Sequence, residues 1–169
     1  MCIRDRPYIL LICFLINTLC ANPSYSLSSR EDLFKNALNL SSSGEFNLAF
    51  KQWNKYLELF PDDAAALSNR GNIKLVIGDP KGAIDDQDKA IKSDPDEVDP
   101  YINRGIAEES LGLWLQAKKD YLYVISKDND NFSALYNLAN VEGSLSDWES
   151  ARKLFSNCLL YTSPSPRDR

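Results

Sequence analysis

A 34-residue period runs through this chain and confines it to a repetitive architecture. Asn69-Arg70-Gly71 returns as Asn103-Arg104-Gly105, 34 positions on, and Asn137-Leu138-Ala139 follows at the same interval. Ala49, Ala83, Ala117 and Ala151 keep that spacing, as do Pro61 and Pro95. No insertion interrupts the register, so the units are structurally equivalent. Each such unit has one apolar face and cannot bury it alone, so neighbours must stack to create a core.

The residues at matched positions resemble the tetratricopeptide pattern, a helix–turn–helix with a first helix A and a second helix B. Large apolar residues open helix A (Leu33, Leu67, Tyr101, Leu135), and small ones follow where the two helices touch (Ala37, Gly71, Gly105, Ala139). The turn carries Gly44, Gly78, Gly112 and Ser146. Helix B brings the periodic alanines to the crossing and an aromatic four residues later: Trp53, Tyr121 and Phe155. Gln87 replaces that aromatic in the second unit and predicts looser packing there. The resemblance implies an all-α fold, a right-handed superhelical solenoid of antiparallel helix pairs. Its repeats would span 30–63, 64–97 and 98–131, with a truncated fourth at 132–157.

Local chemistry agrees with helices at these places. Asp79-Pro80 and Asp99-Pro100 each set a capping carboxylate before a proline suited to a first helical turn. Ser146 with Glu149 three residues later reads as a capping box. Trp53, Trp114 and Trp148 fall at family packing positions and are expected in the core. Asp85, Asp86 and Asp88 read as a solvated face of helix B, and Asp94, Asp96, Glu97 and Asp99 as capping residues between the second and third repeats.

The ends of the chain are read separately. Met1–Asp5 and Cys158–Ser163 can be encoded by strings of which one, reverse-complemented, contains the other, and both resemble a shotgun-library adapter. Residues 1–6 and 158–169 are therefore set aside, and the reading frame is expected to be open at both ends. Residues 7–22 contain an uncharged apolar run of signal-peptide length, short of the roughly 20 residues that span a bilayer. They read as a cleaved signal, with a membrane anchor or a buried helix of the domain as alternatives, and residues 23–29 read as a linker. Export, to a periplasm or thylakoid lumen, is the expectation.

Composition then narrows function. Removing the four arginines and two aspartates of the set-aside ends from 19 and 24 leaves 15 basic and 22 acidic residues, a charge of −7. Such a chain is repelled by phosphate backbones, which argues against nucleic acid. The chain has no histidine, and Cys2, Cys13, Cys20 and Cys158 all lie outside the repeats. Zinc sites of the usual kind and Cys/His nucleophilic catalysis are excluded there. The expectation is a non-enzyme without cofactor or metal.

The resemblance also implies where binding occurs, because A helices line the concave groove of tetratricopeptide superhelices. Asn69, Asn103 and Asn137 stack at matched positions, with Asn72 and Asn140 one helical step further on. A row of amides, each both donor and acceptor, can pair with the backbone of an extended peptide. It is similar to the asparagine ladder of the O-linked N-acetylglucosamine transferase repeats. Ile102, Ile106 and Tyr136 would add apolar contact. The competing reading is that these amides bond neighbouring helices and fix the superhelix. Chaperone-binding members of the family grip a C-terminal carboxylate, and Asn69 fits that clamp. Asp99 stands where the clamp has lysine, and Asn103 where it has arginine, so a neutral or basic segment fits better.

The string ALSNRGNIKLVIGDPKGAIDDQDKAI with DPYINRGIAEESLG further resembles cyanobacterial and plastid members, which implies assembly of a membrane complex. The expected function is a protein-interaction scaffold holding a protein or extended peptide, tethered to a membrane if the leader is retained. Two alternatives stay open: the targeting arm of an enzyme whose catalytic domain lies elsewhere, and an envelope-biogenesis lipoprotein acylated at Cys20.

Overall fold

The computed structural model describes residues 27–162, with side-chain burial for 29–156. The leader, most of the linker and the last residues lie outside that range. Eight helices follow one another: α1 (Leu27–Ser42), α2 (Phe46–Leu59), α3 (Ala64–Val76), α4 (Pro80–Ser93), α5 (Asp99–Ser110), α6 (Trp114–Lys127), α7 (Phe132–Ser144) and α8 (Trp148–Thr162). No strand occurs among the described residues. Helix α1 starts at Leu27, inside the expected linker, and α8 runs on through residues 158–162.

Each helix packs on its neighbours in the chain. In addition α1 touches α3, α3 touches α5 and α5 touches α7, whereas no even-numbered helix touches another. The odd helices therefore crowd together and the even ones splay apart, which makes the odd side concave. The chain is an all-α solenoid of tetratricopeptide type, as the resemblance implies.

The turn inside each hairpin needs a left-handed residue. Gly44, Gly78 and Gly112 supply it at φ of 81°, 88° and 72°, and Ser146 adopts φ 67° in the fourth unit. Ser146 is therefore no cap. Its neighbour Asp147 takes that role, accepting from the Ser150 amide at 3.1 Å. A Cβ in this conformation is strained, so Ser146→Gly is expected to stabilise the fold by about 0.5–1 kcal/mol. Thermal denaturation of the two proteins measures it.

Two other caps need the same accounting. Asp79 accepts from Gly82 N at 2.9 Å with Pro80 in the first turn, as expected. Asp99 instead lies inside the first turn of α5, and Glu97 Oε1 accepts the Val98 and Asp99 amides at 3.1 and 3.4 Å. One residue's shift of the helix start puts the carboxylate beyond the capping position. Asp63 and Asn131 cap α3 and α7 through the Ala66 and Ala134 amides, each at 3.0 Å.

Core packing follows the small-residue register. A Cβ on Gly105 would stand 2.6 Å from Tyr121 Cε1, so only glycine lets α5 approach α6 over that ring. Gln87 does not loosen the second hairpin. It is fully buried against Gly71, and its Nε2 donates to Ser68 O at 3.0 Å and Asn72 Oδ1 at 3.2 Å. The amide nitrogen finds two acceptors and fills the aromatic's place with directed bonds, while Oε1 is buried without a partner among the described residues.

Of the three tryptophans, Trp53 is fully buried and Trp114 packs against the α6–α7 core, but Trp148 is 70% exposed. Trp114 is half-buried against a core that includes residues of the next hairpin, whereas no described hairpin lies beyond α8. There a cavity of about 690 Å³ is walled by Gly143, Trp148, Ala151 and Phe155. Among the described residues no helix is long and apolar enough to cross a membrane.

Candidate functional site

The concave face carries a cavity of about 440 Å³ between α5 and α7. Asn72, Ile102, Asn103, Ile106, Tyr136 and Asn137 all line it, so six residues picked out by the period converge on one place. Ile102 is almost wholly buried and gives the cavity only an edge, its bulk belonging to the core. Asn69 lines an adjoining cavity of about 210 Å³, walled also by Ser68, Asp94, Glu97 and Asp99. Asn140 lies apart from both, on the end face beside Trp148.

The asparagines divide between the two readings of their role. Asn103 Nδ2 donates to Ser68 Oγ at 3.2 Å, joining α5 to α3, and Asn72 Oδ1 is taken by Gln87. Asn69 donates to Ala65 O, one turn back in its own helix. Among the described residues the Asn137 amide has no such bond and faces the cavity. The amides thus fix helices and still leave acceptor and donor atoms at the groove.

Phe132 and Tyr136 complete the apolar wall, their rings stacked at 6.1 Å and 17°. They sit four apart on α7 and so share one face. Phe132 went unrecognised in the sequence because the period puts valine and alanine, Val98 and Ala64, in its place. The aromatic pair at that spacing was the available signal.

Behind the groove, arginines set the spacing of the hairpins. Arg104 forks Asp120 of its own hairpin, Nε and Nη2 each 2.7 Å from a carboxylate oxygen, while Nη1 reaches back to Asp88 at 2.5 Å. Arg70 repeats this with Asp86, at 2.7 Å twice, and Asn54 at 3.0 Å. Lys74 adds a second cation to Asp86 at 2.9 Å. Asp86 is thus buried and paired, not solvated as its exposed neighbours suggested. Burial pushes its carboxyl upward, but Arg70 and Lys74 outweigh that and hold it below the ordinary range. The sequence signal was an Arg-to-Asp interval of 16 residues recurring at the repeat length.

One position breaks the pattern. Lys74, Glu108 and Glu142 occupy equivalent places on α3, α5 and α7. Lys74 pairs with Asp86 below it, and Glu142 with Lys118 of the preceding hairpin at 2.8 Å. Glu108 has neither partner: Asp120 lies where it would need a cation, and Ile84 stands at the place equivalent to Lys118. Its Oε2 is buried without a hydrogen-bond partner among the described residues. Burial first, then Asp120 and Asp88 against the weaker pull of Arg104 and Lys119, raise the carboxyl to about 7.

No family model matches this chain. The tetratricopeptide repeat protein 36 of Danio rerio is 33% identical over 61 residues, which is 36% of this chain. The chain matches only 33% of that relative's length. Among solved structures, the crystal structure of MamA superposes with a TM-score of 0.71 at 24% identity, over 77% of this chain and 71% of that one. The first TPR of Spaghetti (RPAP3), bound to the HSP90 peptide SRMEEVD, gives 0.68 at 21% identity, over 74% and 99% respectively.

Proposed function

From the premise that the chain has the tetratricopeptide-repeat fold, we propose that it is a non-catalytic scaffold whose concave groove holds an extended segment of a partner protein. The observation that carries this is the cavity of about 440 Å³ on the odd-helix side, whose wall combines amides and apolar groups. Such a surface offers hydrogen bonds to a peptide backbone and pockets to its side chains. The RPAP3 domain of like fold is bound to a peptide ending in Glu-Glu-Val-Asp. Here Glu97 and Asp99 stand at the groove and would repel such a tail, so its ligand is not this chain's.

The apolar leader supports an exported compartment, and assembly of a membrane complex is the role proposed there. Expression with the leader fused to a reporter active only after export tests that part.

The groove itself is tested on a peptide array. Tyr136→Ala with Asn137→Ala removes two half-exposed groups that make no side-chain hydrogen bond among the described residues, so the melting temperature should move by only a few degrees. Binding of array-positive peptides should fall at least about tenfold, the worth of one good apolar contact and one hydrogen bond. Unchanged binding in a folded variant would dismiss the groove.

A further inference from the structure

We infer that the groove selects a segment carrying a lysine or arginine beside a large apolar residue. This rests on the peptide-binding reading and gives its ligand a chemistry. The two concave cavities are contiguous, since Asp99 lines both, and no lysine or arginine lines either. The smaller one has Asp94, Glu97 and Asp99 in its wall, all exposed. The larger one has Ile106, Phe132 and Tyr136, each more than a third exposed, so its apolar wall is open to a guest.

The carboxylates keep unspent capacity. Asp94 Oδ1 accepts the Asp96 amide, and Glu97 Oε1 accepts the amides of Val98 and Asp99. Among the described residues nothing takes their second oxygens or the Asp99 carboxylate, which are open to a cation arriving on a flexible arm. A bare metal ion is a poorer match, because no three carboxylates among the described residues converge to hold one. A lysine or arginine brings its own aliphatic stem, which lies along Ala64 and Ala65 while the charge meets the acids. The next large side chain then falls between Ile106 and the stacked rings of Phe132 and Tyr136. Asn103 Oδ1, left free by its Nδ2 bond to Ser68, accepts a backbone N–H from the guest.

Fluorescence anisotropy with the full chain tests this, using labelled peptides built around a Lys-Phe core. Companion peptides carry Lys→Gln, Lys→Glu or Phe→Ala changes. The Lys-Phe peptide should bind about three- to fivefold tighter than its glutamine version, and the glutamate version should bind more weakly still. Raising salt should narrow the difference. Asp94→Asn, Glu97→Gln and Asp99→Asn together should erase the preference for lysine while leaving that for phenylalanine, and Tyr136→Ala should do the reverse. Equal binding of the lysine and glutamate peptides overturns the inference and leaves a peptide groove standing. Binding of none of the four by a protein of unchanged circular dichroism overturns the inference and the groove together.

Discussion

Arg104→Ala should destabilise the solenoid by about 3–5 kcal/mol, lowering its melting temperature by roughly 10 °C. The guanidinium is 21% exposed and Asp120 only 7%, so the pair is largely shielded from water. Removing the cation leaves Asp120 buried with no counter-charge, beside the equally buried Glu108. It also cuts the contact to Asp88, which joins this hairpin to the one before. The loss therefore comes chiefly from the stranded anion, not from the net worth of the bridge. Arg104→Lys should recover little, because an ammonium cannot fork two oxygens and reach a third at once. Arg104→Met with Asp120→Leu should recover most of the stability, since both charges leave together. Urea unfolding of the four proteins checks this, and a mild phenotype for alanine alone would refute it.

Glu108→Gln should have the opposite sign and a pH signature. The carboxyl titrates near 4.5 when unfolded and at about 7 when folded, so the native state holds its proton more tightly. Stability from this group is present in full below pH 4.5 and is lost as pH rises through 7. At pH 8 the wild type bears the whole cost of a buried unpaired anion, up to about 3 kcal/mol for a shift of this size. Glutamine cannot ionise, and its amide can donate to Asp120. The variant should therefore be more stable than wild type at pH 8 and close to it at pH 4.5. Melting temperatures measured across that range give the difference directly, and a gap independent of pH would count against the assignment.

The fold was legible because a period multiplies weak signals. One glycine in a turn says little, but Gly44, Gly78 and Gly112 at equal spacing locate three hairpins. Six of the eight residues that the same reasoning expected in a groove line one cavity. The period failed where a residue's role depends on more than its column. Ser146 was judged by its hydroxyl, although its place in the glycine column already implied the left-handed backbone that it adopts. Gln87 was judged against the missing ring, and nothing local shows that Ser68 O and Asn72 Oδ1 wait for its amide. Asp86 sits among aspartates that do face solvent, and only its interval from Arg70, repeated by Arg104 and Asp120, marks it as the one that turns inward. Trp148 obeys its column, yet burial also requires something to lie on top of it.

The reach of the two arginines has a further consequence for how such a chain can vary. Arg104 grips residues 16 positions behind and 16 ahead, across both the connection between hairpins and the turn within its own. Arg70 does the same with Asn54 and Asp86. Each guanidinium acts as a ruler that checks loop length on either side. One extra residue in the stretch between α4 and α5, or in the turn before α6, would carry a carboxylate out of register. Lengthening is therefore penalised at joints that would otherwise tolerate it, and the constancy of the count from unit to unit becomes a property of side-chain chemistry.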